Sequence, residues 1–246
     1  MRVLLLGGTS EARELAVLLV EAGVDVVSSL AGRVERPRLP AGPVRIGGFG
    51  GVSGLSDWLV SHRMDAVVDA THPFAEGMSA NALAACSSLG LPLLRLARPG
   101  WSDAPGADGW TWVDDHAAAA ATAASSGQRP FLTVGRQPLE HFVSPLAAVR
   151  AVVRVVDPPE IEVPSPWEVY LDRGPYDLAG ELSMMAEHGI DVLVTKDSGG
   201  RYTWPKMAAA DQLGVPIVVV RRSGATDGVE TVPDAAAAAA WVRRQG

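Results

Sequence analysis

The chain has 246 residues, 48% hydrophobic and 20% charged, enough for one large domain or two of about 120 residues with separate cores; two are expected. A formal charge of -7 and a pI near 5.2 exclude a protein whose overall field attracts nucleic acid or an anionic membrane. Any anionic ligand must be met by locally placed arginines. A single cysteine, Cys86, rules out an intramolecular disulfide, and His62, His72, His116, His141 and His188 show no paired metal spacing, so no metal is expected. The chain starts directly on a strand pattern, without the features of a secretory signal or a long apolar run, which points to a cytoplasmic protein.

Short β-branched or leucine-rich runs at Arg2–Leu6, Val24–Leu30, 44–46, Ala66–Ala70 and Leu93–Ala97 are each followed by a turn and usually by a helical pattern. That alternation predicts a parallel sheet covered by helices. Leu15, Leu18, Leu19 and Ala22 repeat at helical spacing and Gly23 supplies a stop. Further helices are predicted over 55–62 and 74–89, the latter closed by Gly90. Residues 98–106 carry turn chemistry, and an alanine-rich helix is predicted from Asp114 to Gly127. Strands resume at Phe131–Val134, Val149–Val156, Val192–Thr195 and 217–220. The alanine run at 235–240, flanked by Trp241, suits a packed helix. The expected architecture is α/β: two Rossmann-like, doubly wound domains, residues 1–115 and 116–246, with mostly parallel sheets and an interdomain cleft.

The first turn, Gly7-Gly8-Thr9-Ser10-Glu11-Ala12, fits G-x-T-x-x-A. In a dinucleotide-binding unit, glycines here permit a tight turn and close backbone approach, while the next helix offers free N–H groups to a pyrophosphate. Threonine replaces the second glycine; Thr9 and Ser10 are then expected to cap the helix or donate to a phosphate oxygen. A capped helix with no ligand is the alternative. Glu11 is expected to face a ribose hydroxyl or the substrate. After the second strand, Ser28-Ser29-Leu30-Ala31-Gly32-Arg33 lacks the carboxylate that holds a free ribose 2'-hydroxyl. The serine hydroxyls and Arg33 suit a 2'-phosphate, favouring NADPH over NADH, with Ser29 and Ala31 placed on the cofactor side, although a lone arginine in a loop is also an ordinary surface charge. Gly47, Gly48 and Phe49 open a glycine cluster running to Gly51 at the same carboxyl edge.

Asp69-Ala70-Thr71-His72-Pro73-Phe74-Ala75 follows the fourth strand. Taken in order with Gly7-Gly8-Thr9-Ser10-Glu11, Gly47-Gly48-Phe49-Gly50, Arg98-Pro99-Gly100-Trp101, Thr133-Val134-Gly135-Arg136 and Lys196-Asp197-Ser198-Gly199-Gly200, it resembles the precorrin-6A reductase family of cobalamin biosynthesis. The resemblance covers nearly the whole chain. It implies a two-domain enzyme that transfers a hydride from NADPH to a conjugated C=C or C=N group of the tetrapyrrole precorrin-6A, giving precorrin-6B. A sister branch acts on the cobalt-containing intermediate, and NADH is used by some members. The resemblance adds Thr71 to the cofactor side. On the substrate side it points to His72, Phe74, Arg98, Trp101, Arg136, Lys196, Ser198, Gly199 and Gly200.

A flat polyacid calls for aromatic surface and for basic or N–H groups, which Arg98, Trp101, Arg136 and Lys196 supply. Lys206, ahead of a predicted helix, is placed to meet a substrate carboxylate or solvent. Lys196, Asp197 and His72, at predicted strand ends, are the candidate proton donors. Cys86 reads as core and Asp69 as a buried, hydrogen-bonded framework residue. The expected partners are the small-molecule tetrapyrrole and the neighbouring pathway enzymes that pass it on, not nucleic acid or membrane. A short-chain carbonyl reductase or epimerase would need a Tyr-x-x-x-Lys pair; Tyr202 and Lys206 have that spacing but enclose Pro205. A non-catalytic NADPH sensor would leave the second basic set around Lys196 unexplained.

Overall fold

The computed structural model describes residues 1–224 and 228–246. In chain order, β1 (Arg2–Leu6), α1 (Ser10–Glu21), β2 (Asp25–Leu30), β3 (Val44–Ile46), α2 (Gly51–Ser61), β4 (Ala66–Asp69), α3 (Glu76–Leu89) and β5 (Leu93–Leu96) come first. A second series follows: β6 (Thr111–Val113), α4 (His116–Ser126), β7 (Pro130–Leu132), α5 (Glu140–Val143), β8 (Val152–Val155), β9 (Glu168–Leu171), α6 (Leu178–Glu187), β10 (Val192–Lys196), α7 (Pro205–Leu213) and β11 (Ile217–Val220). The chain closes with β12 (Glu230–Val232) and α8 (Ala235–Gln245). Among the described residues no helix is long and apolar enough to cross a membrane.

Two six-stranded sheets result, ordered β12-β5-β4-β1-β2-β3 and β6-β11-β10-β7-β8-β9. Every pairing among the described residues is parallel, with Leu4 opposite Val27 and Val67 in the first sheet and Val194 opposite Leu132 and Val218 in the second. Both sheets have the doubly wound order 3-2-1-4-5-6, and in both the sixth position is filled out of turn. β6, next in the chain after β5, pairs with β11; β12, next after β11, pairs with β5.

The compact units are therefore Met1–Pro99 with Ser223–Gly246, and Gly100–Arg222. This corrects the expected division into 1–115 and 116–246. The reason lies in α8: Ala235, Ala238, Ala239, Trp241 and Val242 are buried with Leu15, Ala16 and Leu19 of α1, and Trp241 Nε1 donates to Glu230 at 2.9 Å. The terminal alanines find their apolar partner on the first sheet.

Strand alternation sorts the first core into two layers. Val3 and Leu5 pack under α1 and α8, while Leu4 and Leu6 pack with Leu55, Leu59, Ala82 and Cys86 of α2 and α3. In the second unit, Phe131, Leu193 and Val219 pack with Met185 of α6 and Met207 of α7. Thr9 caps α1, Asp115 caps α4, and Gly90 closes α3 in the left-handed conformation. The helix predicted from 74 starts at Glu76, because Phe74 and Ala75 are bound in a turn over His72.

Candidate functional site

The first sheet changes winding direction between β1 and β4, which go on to β2 on one side and β5 on the other. The crevice at the carboxyl ends of such a pair is where open α/β sheets hold ligands. Gly8 has φ +118°, and a Cβ placed there would have nothing within 4 Å; the turn needs glycine and leaves bare backbone facing open space.

Of its two expected roles, Thr9 takes that of the helix cap. Its Oγ1 accepts the Ala12 N–H at 3.1 Å and donates its only proton to the Ala70 carbonyl at 2.9 Å. The hydroxyl ties the turn to the end of β4 and has no proton left for a phosphate. Ser10 Oγ donates to Glu11 Oε2 at 3.1 Å, and the same oxygen is 2.5 Å from Arg98 Nη1. Burial pushes the Glu11 carboxyl up, but the Arg98 guanidinium, its own backbone N–H and Ser10 outweigh that, and the net shift is downward. Glu11 is therefore the partner of Arg98, and both line a small cavity with Thr9, Thr71, Pro73 and Leu96. Asp69, 2% exposed, is 2.5 Å from Arg95 Nη1 and accepts from the Thr71 hydroxyl at 2.7 Å, which makes Thr71 part of the frame. His72 Nδ1 accepts the Phe74 N–H at 3.3 Å, so a neutral ring carries its proton on Nε2.

At the ends of β2 and β3 the structure reveals Arg45, a residue the sequence reading missed. Its guanidinium donates to Ser29 Oγ at 3.1 Å and to the carbonyls of Gly47 and Gly48 at 2.7 and 2.8 Å, and lies 3.7 Å over the Phe49 ring. The available signal was an arginine inside a three-residue strand beside a glycine cluster. Gly47, Gly48, Gly50 and Gly51 would all meet open space with an added Cβ, whereas a Cβ on Gly54 would fall 1.8 Å from the Phe49 carbonyl oxygen. Ala31 and Arg33 are exposed on the loop after β2. An open glycine edge, a serine and two arginines, with no acid from Ser28 to Arg33, form a donor set that fits a dinucleotide carrying a 2'-phosphate.

The second sheet changes direction between β7 and β10. After β7, Thr133 Oγ1 donates to the Val194 carbonyl at 3.1 Å, and Gly135, at φ +84°, lies beside Lys196, where an added Cβ would be in ordinary contact 3.7 Å from Nζ. Burial lowers Lys196 to about 8. His116 is lowered to about 4 by burial and by the Lys196 and His141 charges, against Asp115; its ring stacks on His141 at 6.0 Å. Arg136 reaches Glu160 at 3.1 Å and the Pro158 carbonyl at 3.4 Å.

Three further expectations change. Asp197, 4% exposed, accepts the Trp101 N–H at 2.8 Å and the Arg222 guanidinium at 3.0 and 3.3 Å; both oxygens are engaged, and its place is that of a clamp rather than a proton donor. Trp101 is itself core, 4% exposed and edge-on to Trp204, not a surface ring for stacking. Lys206, for which solvent was one expected fate, is 4% exposed, while Tyr202 is 40% exposed, so the two do not form a catalytic pair. Ser198 bonds Thr203 at 3.1 Å, and Gly199 at φ +65° shapes the turn into Gly200.

Residues 2–243 match the sequence model of the family described as Precorrin-6x reductase CbiJ/CobK. The chain is 49% identical to a Precorrin-6A reductase of Rhodococcus erythropolis over 98% of its own length and 97% of that protein. It is 48% identical to one of Mycobacterium tuberculosis with the same coverage. A Cobalt-precorrin-6A reductase of Priestia megaterium is 32% identical over 89% of this chain and 90% of that protein. The solved structure of CobK precorrin-6A reductase superposes with a TM-score of 0.92 at 38% identity, covering 100% of this chain and 97% of that one. With a whole-chain family match and a shared fold, this protein belongs to the precorrin-6x reductase family.

Proposed function

We propose that this protein reduces metal-free precorrin-6A to precorrin-6B in cobalamin biosynthesis, using NADPH as hydride donor. Its higher identity to proteins named precorrin-6A reductase than to one named for the cobalt form supports the metal-free branch. The observation that carries the cofactor reading is the edge formed by Ser29, Arg45 and the open glycines of 47–51, joined by the exposed Arg33 and lacking a strand-end acid.

NADPH supplies the hydride; the chain's task is to bind, orient and supply or hold a proton. The Gly7-Gly8 turn and the start of α1 accept the backbone of the dinucleotide, with Arg98 neutralising Glu11 so that the helix end is not left purely anionic. Arg45, already fixed by the Gly47 and Gly48 carbonyls, keeps a preset orientation toward a 2'-phosphate. In the second unit Lys196, at about 8, holds a proton at neutral pH and can release it. It is the preferred donor, with His72 Nε2 as the alternative.

The test is anaerobic incubation with precorrin-6A or its cobalt form and either NADPH or NADH, following both absorption spectra. Consumption of NADPH with metal-free substrate is expected. Arg45→Ala and Arg33→Ala should weaken NADPH far more than NADH; equal loss of both would remove the 2'-phosphate role. A protein that binds NADPH but turns over neither macrocycle would instead be a sensor of that cofactor.

A further inference from the structure

Lys206 is a buried charge that the reading so far leaves unused. It is the second residue of α7 and 4% exposed, in a first helical turn whose backbone field disfavours a cation. Among the described residues its ammonium makes neither a hydrogen bond nor an ion pair, and Nζ lies 5.8 Å from the centroid of the Trp101 ring. The charged groups facing it are Arg154 from β8, Glu181 from α6 and Lys196 from β10. Glu181, 1% exposed, already serves Arg154, whose Nη2 is 2.8 Å from Oε1 and 3.1 Å from Oε2. The Arg154 guanidinium is covered by the Tyr176 ring at 3.8 Å.

Among the described residues this cluster sets Lys206 and Arg154 against the single carboxylate of Glu181, with Lys196 nearby. A buried surplus of positive charge is relieved either by losing a proton or by gaining an anion. The first route is visible in Lys206, lowered to about 7 by burial and by Arg154 and Lys196, against Glu181. The second route requires a ligand with a carboxylate.

Resting on the reductase reading above, we propose that Lys206 is a carboxylate anchor for the tetrapyrrole, taking a proton from solvent as one substrate carboxylate docks against its amine. The balance is a neutral amine, one proton and one carboxylate going to an ammonium–carboxylate pair, with no redox change. Substrate affinity is then linked to pH through the second unit, independently of the cofactor.

Calorimetric titration of the full chain with precorrin-6A, anaerobically at pH 8 in two buffers of different ionisation enthalpy, counts the protons taken up. Wild type should take up about one proton more per macrocycle than K206M or K206R, since Lys206 is about nine-tenths neutral at that pH. K206M should weaken binding at pH 7 about tenfold. K206R, which keeps the charge at every pH, should retain affinity and lose the pH dependence. NADPH binding, measured separately, should be unchanged in both, and thermal unfolding of K206M at or above the wild-type temperature would exclude misfolding as the cause. Equal proton uptake in wild type and K206M, or equal affinity, would overturn the anchor and leave Lys206 as an internal counter-charge to Glu181. Wild type that binds no precorrin-6A would overturn the reductase reading as well.

Discussion

The Asp197 clamp predicts a coupling between two substitutions that would each look merely destabilising alone. Asp197 grips Trp101 and Arg222, which stand where the chain enters and leaves the second unit. Asp197→Ala removes the acceptor of a buried N–H and of two hydrogen bonds from the Arg222 guanidinium, a loss of about 2–4 kcal/mol. Asp197→Asn keeps one acceptor oxygen and should cost about 1.5–3 kcal/mol. A Cβ on Gly100 would stand 2.5 Å from Asp197 Oδ2, a carboxylate that Arg222 prevents from moving aside, so Gly100→Ala should cost about 1–3 kcal/mol of overpacking. In the Asp197→Ala background that obstacle is gone and the alanine should cost almost nothing. The double variant should therefore be more stable than the sum of the single losses by about 1–3 kcal/mol. Urea unfolding followed by tryptophan fluorescence reads this directly, because Trp101, Trp110, Trp112, Trp167 and Trp204 lie in the second unit and only Trp58 and Trp241 in the first. Additive losses would refute the packing of Gly100 on the clamp.

Other consequences concern single groups. Among the described residues the buried Ser28 Oγ finds no hydrogen-bond partner, so Ser28→Ala should leave stability unchanged or raise it by up to about 1 kcal/mol in denaturant titration; a clear loss would mean that the hydroxyl is satisfied. Thr9→Val removes both the α1 cap and the link to Ala70 and should cost about 1–2 kcal/mol, lowering the unfolding midpoint. Lys206 falls from 10.5 to about 7 on folding, so between those values the unfolded chain holds more of this proton and stability rises with pH. K206M should remove that slope, about 1.4 kcal/mol per pH unit near pH 8–9 relative to wild type, and parallel curves would contradict the shift. Cys86, 1% exposed, is raised to about 12 by burial and by Asp69. A thiol reagent at pH 8 should label it only as fast as the first unit opens; rapid labelling of the native protein would count against its place in the core.

Much of this protein was legible from local order. The strands at Arg2–Leu6, Ala66–Asp69 and Ile217–Val220 follow from apolar runs, because a parallel strand buried on both faces tolerates little else. The Gly8 turn, the Gly90 stop and the burial of Cys86 and Asp69 are similarly local. The strands left unread, β6, β9 and β12, are edges of three or four residues carrying Thr111, Glu168 and Glu230, where one solvated side frees the chain from a hydrophobic pattern. Only the tertiary structure decided which sheet each short edge would join, since that choice depends on apolar faces more than a hundred residues away: α8 is an alanine helix anywhere, but its burial partners are on α1. The same holds for charge. An arginine at 45, an aspartate at 197 and a lysine at 206 look alike to a sequence reading, and their roles as oriented donor, clamp and buried amine were set by what the fold brought within hydrogen-bond reach or withheld from it.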